Sequence, residues 1–144
     1  MIYLNINPPR STDQMKKWTV NPRTGKPHPY RPSNVQAARD ILRAALLPHR
    51  PKEPYSGPVV LVVAWKFSYA KGHKDGEYKT TRPDTDNLQK ALKDVMTELH
   101  FWHDDAQVVA EIPIKVWAKQ PGICVEVRQL GRFYRKEEIL DAIP

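Results

Sequence analysis

The 144-residue chain has a single cysteine, Cys124, so no internal disulfide framework exists and a reducing compartment is expected. Cys124 lies in a run that reads as a strand, where its expected part is packing rather than chemistry. No apolar stretch approaches the roughly 20 residues that span a bilayer. The start, Met1-Ile2-Tyr3-Leu4-Asn5-Ile6-Asn7, lacks the basic opening and long apolar run of a secretory leader, so a cytoplasmic protein with no membrane partner is expected. Repeats, low-complexity tracts and any sign of a second domain are missing too, which predicts one domain over residues 1–144 with a modest core. His/Cys spacing suited to zinc is also missing. His73 is expected to meet phosphate, and His103 to orient neighbouring acids or face solvent.

What the chain does have is an unusual concentration of carboxylates. Arg82-Pro83-Asp84-Thr85-Asp86-Asn87-Leu88-Gln89-Lys90 is followed a dozen residues later by His103-Asp104-Asp105-Ala106-Gln107. Asp84 and Asp86 fall where a loop turns into a helix, and Lys90 lies one turn past Asp86 on the same face. Taken alone, such acids read as helix caps and turn residues. If a helix returning into a strand brings all four together, the reading changes, because carboxylates about 4 Å apart repel by roughly 4 kcal/mol at an effective dielectric near 20. Such a cluster needs a cation or protons. Oxygen-only ligands suit Mg²⁺, with Mn²⁺ able to substitute, and the expected chemistry is phosphodiester hydrolysis.

These residues resemble the RusA-like Holliday-junction resolvases, small metal-dependent endodeoxyribonucleases of bacteria and their phages. The family pattern, Arg-x-Asp-x-Asp-Asn-x-x-Lys, then a helix, then aromatic-x-Asp-Asp-x-Gln, is met by Arg82, Asp84, Asp86, Asn87, Lys90, Trp102, Asp104, Asp105 and Gln107. The resemblance implies that Asp84, Asp86 and Asp105 are catalytic metal ligands and Lys90 the essential basic residue. Asn87 would orient the acids, and Asp104 would support them from behind or contribute a ligand itself. His100 departs from the usual glycine after the helix, and the polar stretch after Pro8-Pro9 does not align. The resemblance alone implies a homodimer, whose two-fold symmetry suits a four-way DNA junction.

Charge is unevenly spread. Residues 1–82 carry 15 Lys and Arg against 5 Asp and Glu, a net of +10, whereas residues 83–144 carry 8 against 11, a net of −3. A nuclease needs that segregation, with cations to collect the phosphate backbone and acids to hold metal. Lys16, Lys17, Arg23, Lys71, Lys74, Lys79 and Arg82 are the expected DNA contacts.

Along the chain, residues 1–7 alternate as a half-buried strand. Residues 10–32, rich in Pro, cations and aromatics such as Trp18 and Tyr30, read as a loop that either stacks unpaired bases or folds over the domain with Trp18 tucked in. Ser33 and Gln36 suggest a capping box for a helix burying Val35, Ala38, Ile41, Leu42, Ala45 and Leu46, with Arg39 and Arg43 in solvent. Val59 to Trp65 reads as a central strand covered on both faces. Residues 68–82 read as a loop with almost nothing to bury that closes over bound DNA. The motif helix buries Leu88, Ala91, Leu92, Val95, Met96 and Leu99. Gln107–Trp117 and Gly122–Leu130 suggest a hairpin, with Pro113 implying an edge, and Ile139, Leu140 and Ile143 a short last helix.

The fold expected is α/β (α+β), a small mixed sheet of about four strands flanked by helices, as the resemblance implies. The function expected is a Mg²⁺-dependent endodeoxyribonuclease acting on branched DNA. A nuclease preferring flaps or forks, and a non-catalytic structure-selective DNA-binding protein, remain open.

Overall fold

The longest apolar run of the chain becomes the centre of its sheet. In the computed structural model, which describes residues 1–10, 17–30 and 33–144, four strands form a mixed sheet: β1 (Ile2–Leu4), β4 (Val59–Ser68), β5 (Val108–Ala118) and β6 (Gly122–Gln129). The order is β1-β6-β4-β5, with β4 parallel to β5 and antiparallel to β6. Strands β2 (Lys17–Val20) and β3 (Pro27–Tyr30) pair separately as a two-stranded ribbon. The helices are α1 (Ser33–Leu46), α2 (Thr85–Glu98) and the short α3 (Lys136–Leu140).

Strand β4 is buried on both faces, as an unbroken apolar sequence requires. Leu61, Val63, Trp65 and Phe67 meet the helices, in one core with Leu42, Leu46, Leu88, Leu92, Val95 and Met96. Val60 and Val62 point the other way, onto Ala142 and Ile139 after and within α3. The stripe expected of α2 is the stripe it buries, from Leu88 to Leu99. Truncating one such leucine to alanine costs about 2–5 kcal/mol. Gln89 is buried as well; its side chain accepts from Trp65 Nε1 at 3.1 Å and donates to Glu111 at 3.3 Å, so no polar atom of the pair is stranded. Helix α2 ends in a Schellman turn, with Phe101 N–H on the Met96 carbonyl and His100 at φ +60°, so histidine takes the left-handed position that glycine adopts most readily.

Four local readings are corrected. Strands β5 and β6 are consecutive but do not form a hairpin: β4 lies between them and bonds to both, because only a strand apolar on both sides fits the centre. Pro113 accordingly lies on the edge strand. Residues 17–30 are a ribbon, not a loop, and Trp18 is 70% exposed, not tucked in. In α1, Arg39 is 6% exposed and Ile41 lies outside, since Asp94 and Glu98 of α2 draw the arginine into the seam at 3.5 and 3.3 Å. Residues 68–82 do not hang free: Gly76 N–H and the Glu77 carbonyl bond to Trp117, Lys79 N–H bonds to the Lys115 carbonyl, and the His73 ring stacks on Trp117 at 4.5 Å.

Among the described residues, no helix is long and apolar enough to cross a membrane.

Candidate active site

Asp84 is the N-cap of α2, with extended backbone and its carbonyl bonded to Leu88 N–H, yet its carboxylate makes no capping hydrogen bond. That argues against the ordinary role of aspartate at this position, since capping is how such a side chain stabilises a helix. Asp86, in the first turn and exposed, accepts from the Asn87 backbone N–H at 2.9 Å. The orienting contact expected from Asn87 therefore comes from its main chain. Both acids sit where the unpaired N–H groups of the helix start favour negative charge.

The backbone that delivers Asp84 is held by two lysines from the neighbouring edge. Lys115 Nζ, on β5, donates to the Thr81 and Pro83 carbonyls at 2.8 and 2.7 Å. Lys79 Nζ donates to the Thr81 and Arg82 carbonyls at 3.3 and 2.6 Å, and sits over the Trp117 and Phe67 rings at 4.5 and 5.1 Å. Lys79 is 7% exposed, so the phosphate contact expected of it is replaced by a structural one. Burial, then the charges of Lys115 and Arg10, push its ammonium below the usual lysine range. Pattern reading missed this, because a lysine in a polar loop gives no sign of the carbonyls and rings that await it.

Lys90 projects from the same face as Asp86, with its side chain 61% exposed and its ammonium 3.5 Å from Asp94, one turn on. An ion pair that exposed holds the side chain weakly. Lys93, outside the motif, is tied to Glu111 at 3.2 Å.

The second acidic pair lies elsewhere. Asp104 caps a single 3₁₀ turn, Asp105–Gln107, accepting from Ala106 N–H at 2.8 Å. Gln107 answers by accepting from the His103 and Asp104 N–H groups, and it donates to the Tyr55 and Gly57 carbonyls at 2.8 and 2.9 Å. Trp102 is buried beneath, with its Nε1 on Thr97 Oγ1 at 2.7 Å. Asp104 and Gln107 thus fix the turn that carries the exposed Asp105. A cleft of about 360 Å³ there is lined by Asp104, Asp105, His103, Asp94, Glu98 and Arg39.

Asp94 stands two turns beyond Asp86, about 12 Å along the axis at 1.5 Å per residue, and Glu98 a turn further. The expected convergence of four carboxylates within one chain is therefore not found: the two pairs flank opposite ends of α2. Among the described residues no group of three or more His, Cys, Asp or Glu could hold a metal ion.

Of the expected DNA contacts, Arg23, Lys71, Lys74 and Arg82 are exposed. Lys16 lies outside the described residues, and of Lys17 only the backbone is described, in β2.

Comparison with known proteins adds an independent line. Residues 8–128 match the family model for endodeoxyribonuclease RusA. Over 91 residues the chain is 37% identical to the crossover junction endodeoxyribonuclease rusA of Lactococcus phage r1t, covering 62% of this chain and 70% of the relative. Over 120 residues it is 29% identical to the uncharacterized protein YqaN of Bacillus subtilis (strain 168), covering 76% of this chain and 84% of the relative.

Proposed function

The chain belongs to the RusA endodeoxyribonuclease family, and from that membership we propose that it resolves four-way DNA junctions by metal-dependent phosphodiester hydrolysis, with Asp84, Asp86 and Asp105 as metal ligands. The observation that carries the site is that the Asp84 carboxylate heads α2 without capping it. The donor set fits the group: exposed carboxylates with no thiolate or imidazole among them suit a hard divalent ion, Mg²⁺ or Mn²⁺.

Since α2 separates Asp86 from Asp105 within one chain, the ligand set is completed between two copies. Two α2 helices packed antiparallel about a two-fold axis bring Asp84 and Asp86 of one protomer to Asp105 of its partner, and do so twice. Such a homodimer holds one site for each of two symmetry-related strands.

Held by Asp84, Asp86 and Asp105, a divalent ion would supply Lewis acidity toward the phosphodiester and its attacking water. The remaining steps belong to the chain. Lys79 and Lys115 fix the backbone that presents Asp84, and the Asn87 N–H fixes Asp86. Lys90 meets the charge that builds on the phosphate oxygens. Arg23, Lys71, Lys74 and Arg82 collect the backbone phosphates.

Mixing two inactive variants tests the reading. Asp86→Asn and Asp105→Asn each remove one ligand and should each be inactive on labelled four-way junctions in Mg²⁺, as the wild type should be in EDTA. In a mixed dimer one site carries both changes and the other neither, so co-refolded variants should regain nicking at one strand. No recovery in a mixture shown to exchange subunits would return the whole site to one chain. Metal-dependent cleavage retained within tenfold in both single variants would remove the aspartates.

A further inference from the structure

The ribbon β2–β3 has no counterpart in the site just described. In the antiparallel register Trp18 faces Pro29 and Val20 faces Pro27, so one surface of the ribbon is Trp18, Val20, Pro27 and Pro29. The residues of β3 are all exposed, and Trp18, Val20 and Tyr30 are exposed by 70, 61 and 43%. Its tip is closed by Asn21 and Lys26, whose main chains bond at 2.9 Å, by Gly25 N–H on the Asn21 carbonyl at 2.8 Å, and by the Asn21 side chain on Arg23 N–H at 2.9 Å. Gly25, at φ +66°, takes the left-handed conformation that the tip requires. The result is a shaped projection with a bare apolar surface, and such a surface marks an interaction site.

Charge identifies the occupant. Residues 17–30 contain Lys17, Arg23 and Lys26 and no Asp or Glu. A protein-docking surface has no need to exclude carboxylates, whereas a surface meeting nucleic acid does. Exposed aromatic and proline side chains beside cations are what inserts between, or stacks on, bases that have left the duplex. Arg10, the last described residue before the ribbon, lines a cleft with Phe67 and Ser68 at the end of β4.

We propose that the β2–β3 ribbon is a branch-point reader, stacking Trp18 on unpaired bases at the centre of a DNA junction. The proposal rests on the nuclease reading for its substrate class. Its test, however, needs no cleavage.

Junction and duplex of the same sequence, each with 2-aminopurine at the branch position, are titrated in EDTA with wild type, Trp18→Ala and Trp18→Phe. Wild type should raise the 2-aminopurine emission of the junction but not of the duplex. Trp18→Ala should abolish that rise and weaken junction affinity by about 5- to 150-fold, the range a single base–aromatic stack carries, with duplex affinity unchanged. Trp18→Phe should restore most of both. An unchanged emission rise and junction affinity in Trp18→Ala overturns the proposal, and so does an equal loss on junction and duplex. A Trp18→Ala protein whose oligomeric state differs from wild type assigns the ribbon to contact between copies instead. Failure of the nuclease reading would show separately, as wild type that binds junctions in EDTA and never cleaves them in Mg²⁺.

Discussion

Lys79 and Lys115 donate to the same oxygen, the carbonyl of Thr81, at 3.3 and 2.8 Å. Two cations sharing an acceptor repel each other, and burial of Lys79 adds to that cost. Both are offset by further carbonyls, Arg82 for Lys79 and Pro83 for Lys115. The result is a fixed approach of the chain to Asp84.

Lys115→Met should loosen that approach without touching DNA. Residues that orient metal ligands typically contribute 10- to 100-fold in metal affinity or activity. Cleavage at limiting Mg²⁺ should therefore fall by about that factor, with partial recovery at high Mg²⁺ and in Lys115→Arg, while junction affinity stays within about threefold. Equal loss of cleavage and affinity would make Lys115 a phosphate contact instead.

Lys90→Ala should lower the single-turnover rate by about 10²–10³, the usual effect of losing one electrostatic donor in a transition state. Affinity should change far less. Lys93→Ala is the control, because Lys93 is held by Glu111. If the two variants behave alike, Lys90 is a surface residue.

Neutralising Lys71 and Lys74 together tests the 68–82 segment as a phosphate contact. Each contact contributes about −0.9 to the log–log dependence of affinity on salt, so the double variant should flatten the slope by up to about 1.8. Lys79 is left out of the set because its substitution would release the turn before Asp84. An unaltered slope would take the segment out of the DNA interface.

Stability should draw on the Glu98 charge at neutral pH and lose that contribution in acid. Its hydrogen bond from Arg43 holds the Glu98 carboxyl below the ordinary glutamate range, against the opposing effect of burial. A carboxyl whose folded pKa is depressed contributes stability above its unfolded value, and that contribution is lost as pH falls through the folded value. Melting temperatures of wild type and Glu98→Gln, measured from pH 7 to pH 3, should differ most at pH 7 and converge in acid. A constant difference would show that the α1–α2 seam gains nothing from the charge.

The parts of this fold that packing alone decides were legible from residue order. The stripe from Leu88 to Leu99 and the unbroken run Val59–Trp65 admit one burial each, and both are buried as their spacing requires. Polar residues were harder, because their partners come from elsewhere in the chain. Nothing near Arg39 reveals that Asp94 and Glu98 will line its side of α1, and nothing near Lys79 announces Trp117. The β2–β3 ribbon did leave a trace. Pro27 and Pro29 are two apart, so both fall on the same alternate set of positions, compatible with non-hydrogen-bonded pairs in which a missing N–H costs no ladder bond. The place of the acids was recoverable by length alone, since a 14-residue helix between them is about 21 Å long.

The sheet that carries the site is closed to growth. At one margin β1 is three residues long. At the other, β5 offers no N–H at Pro113, and its far end is already bonded by Gly76, Glu77 and Lys79. Edges so shortened, interrupted and covered cannot template another strand, the usual route from a soluble domain to a fibre. Any pairing of its copies is thereby left to helices and side chains rather than to main-chain ladders.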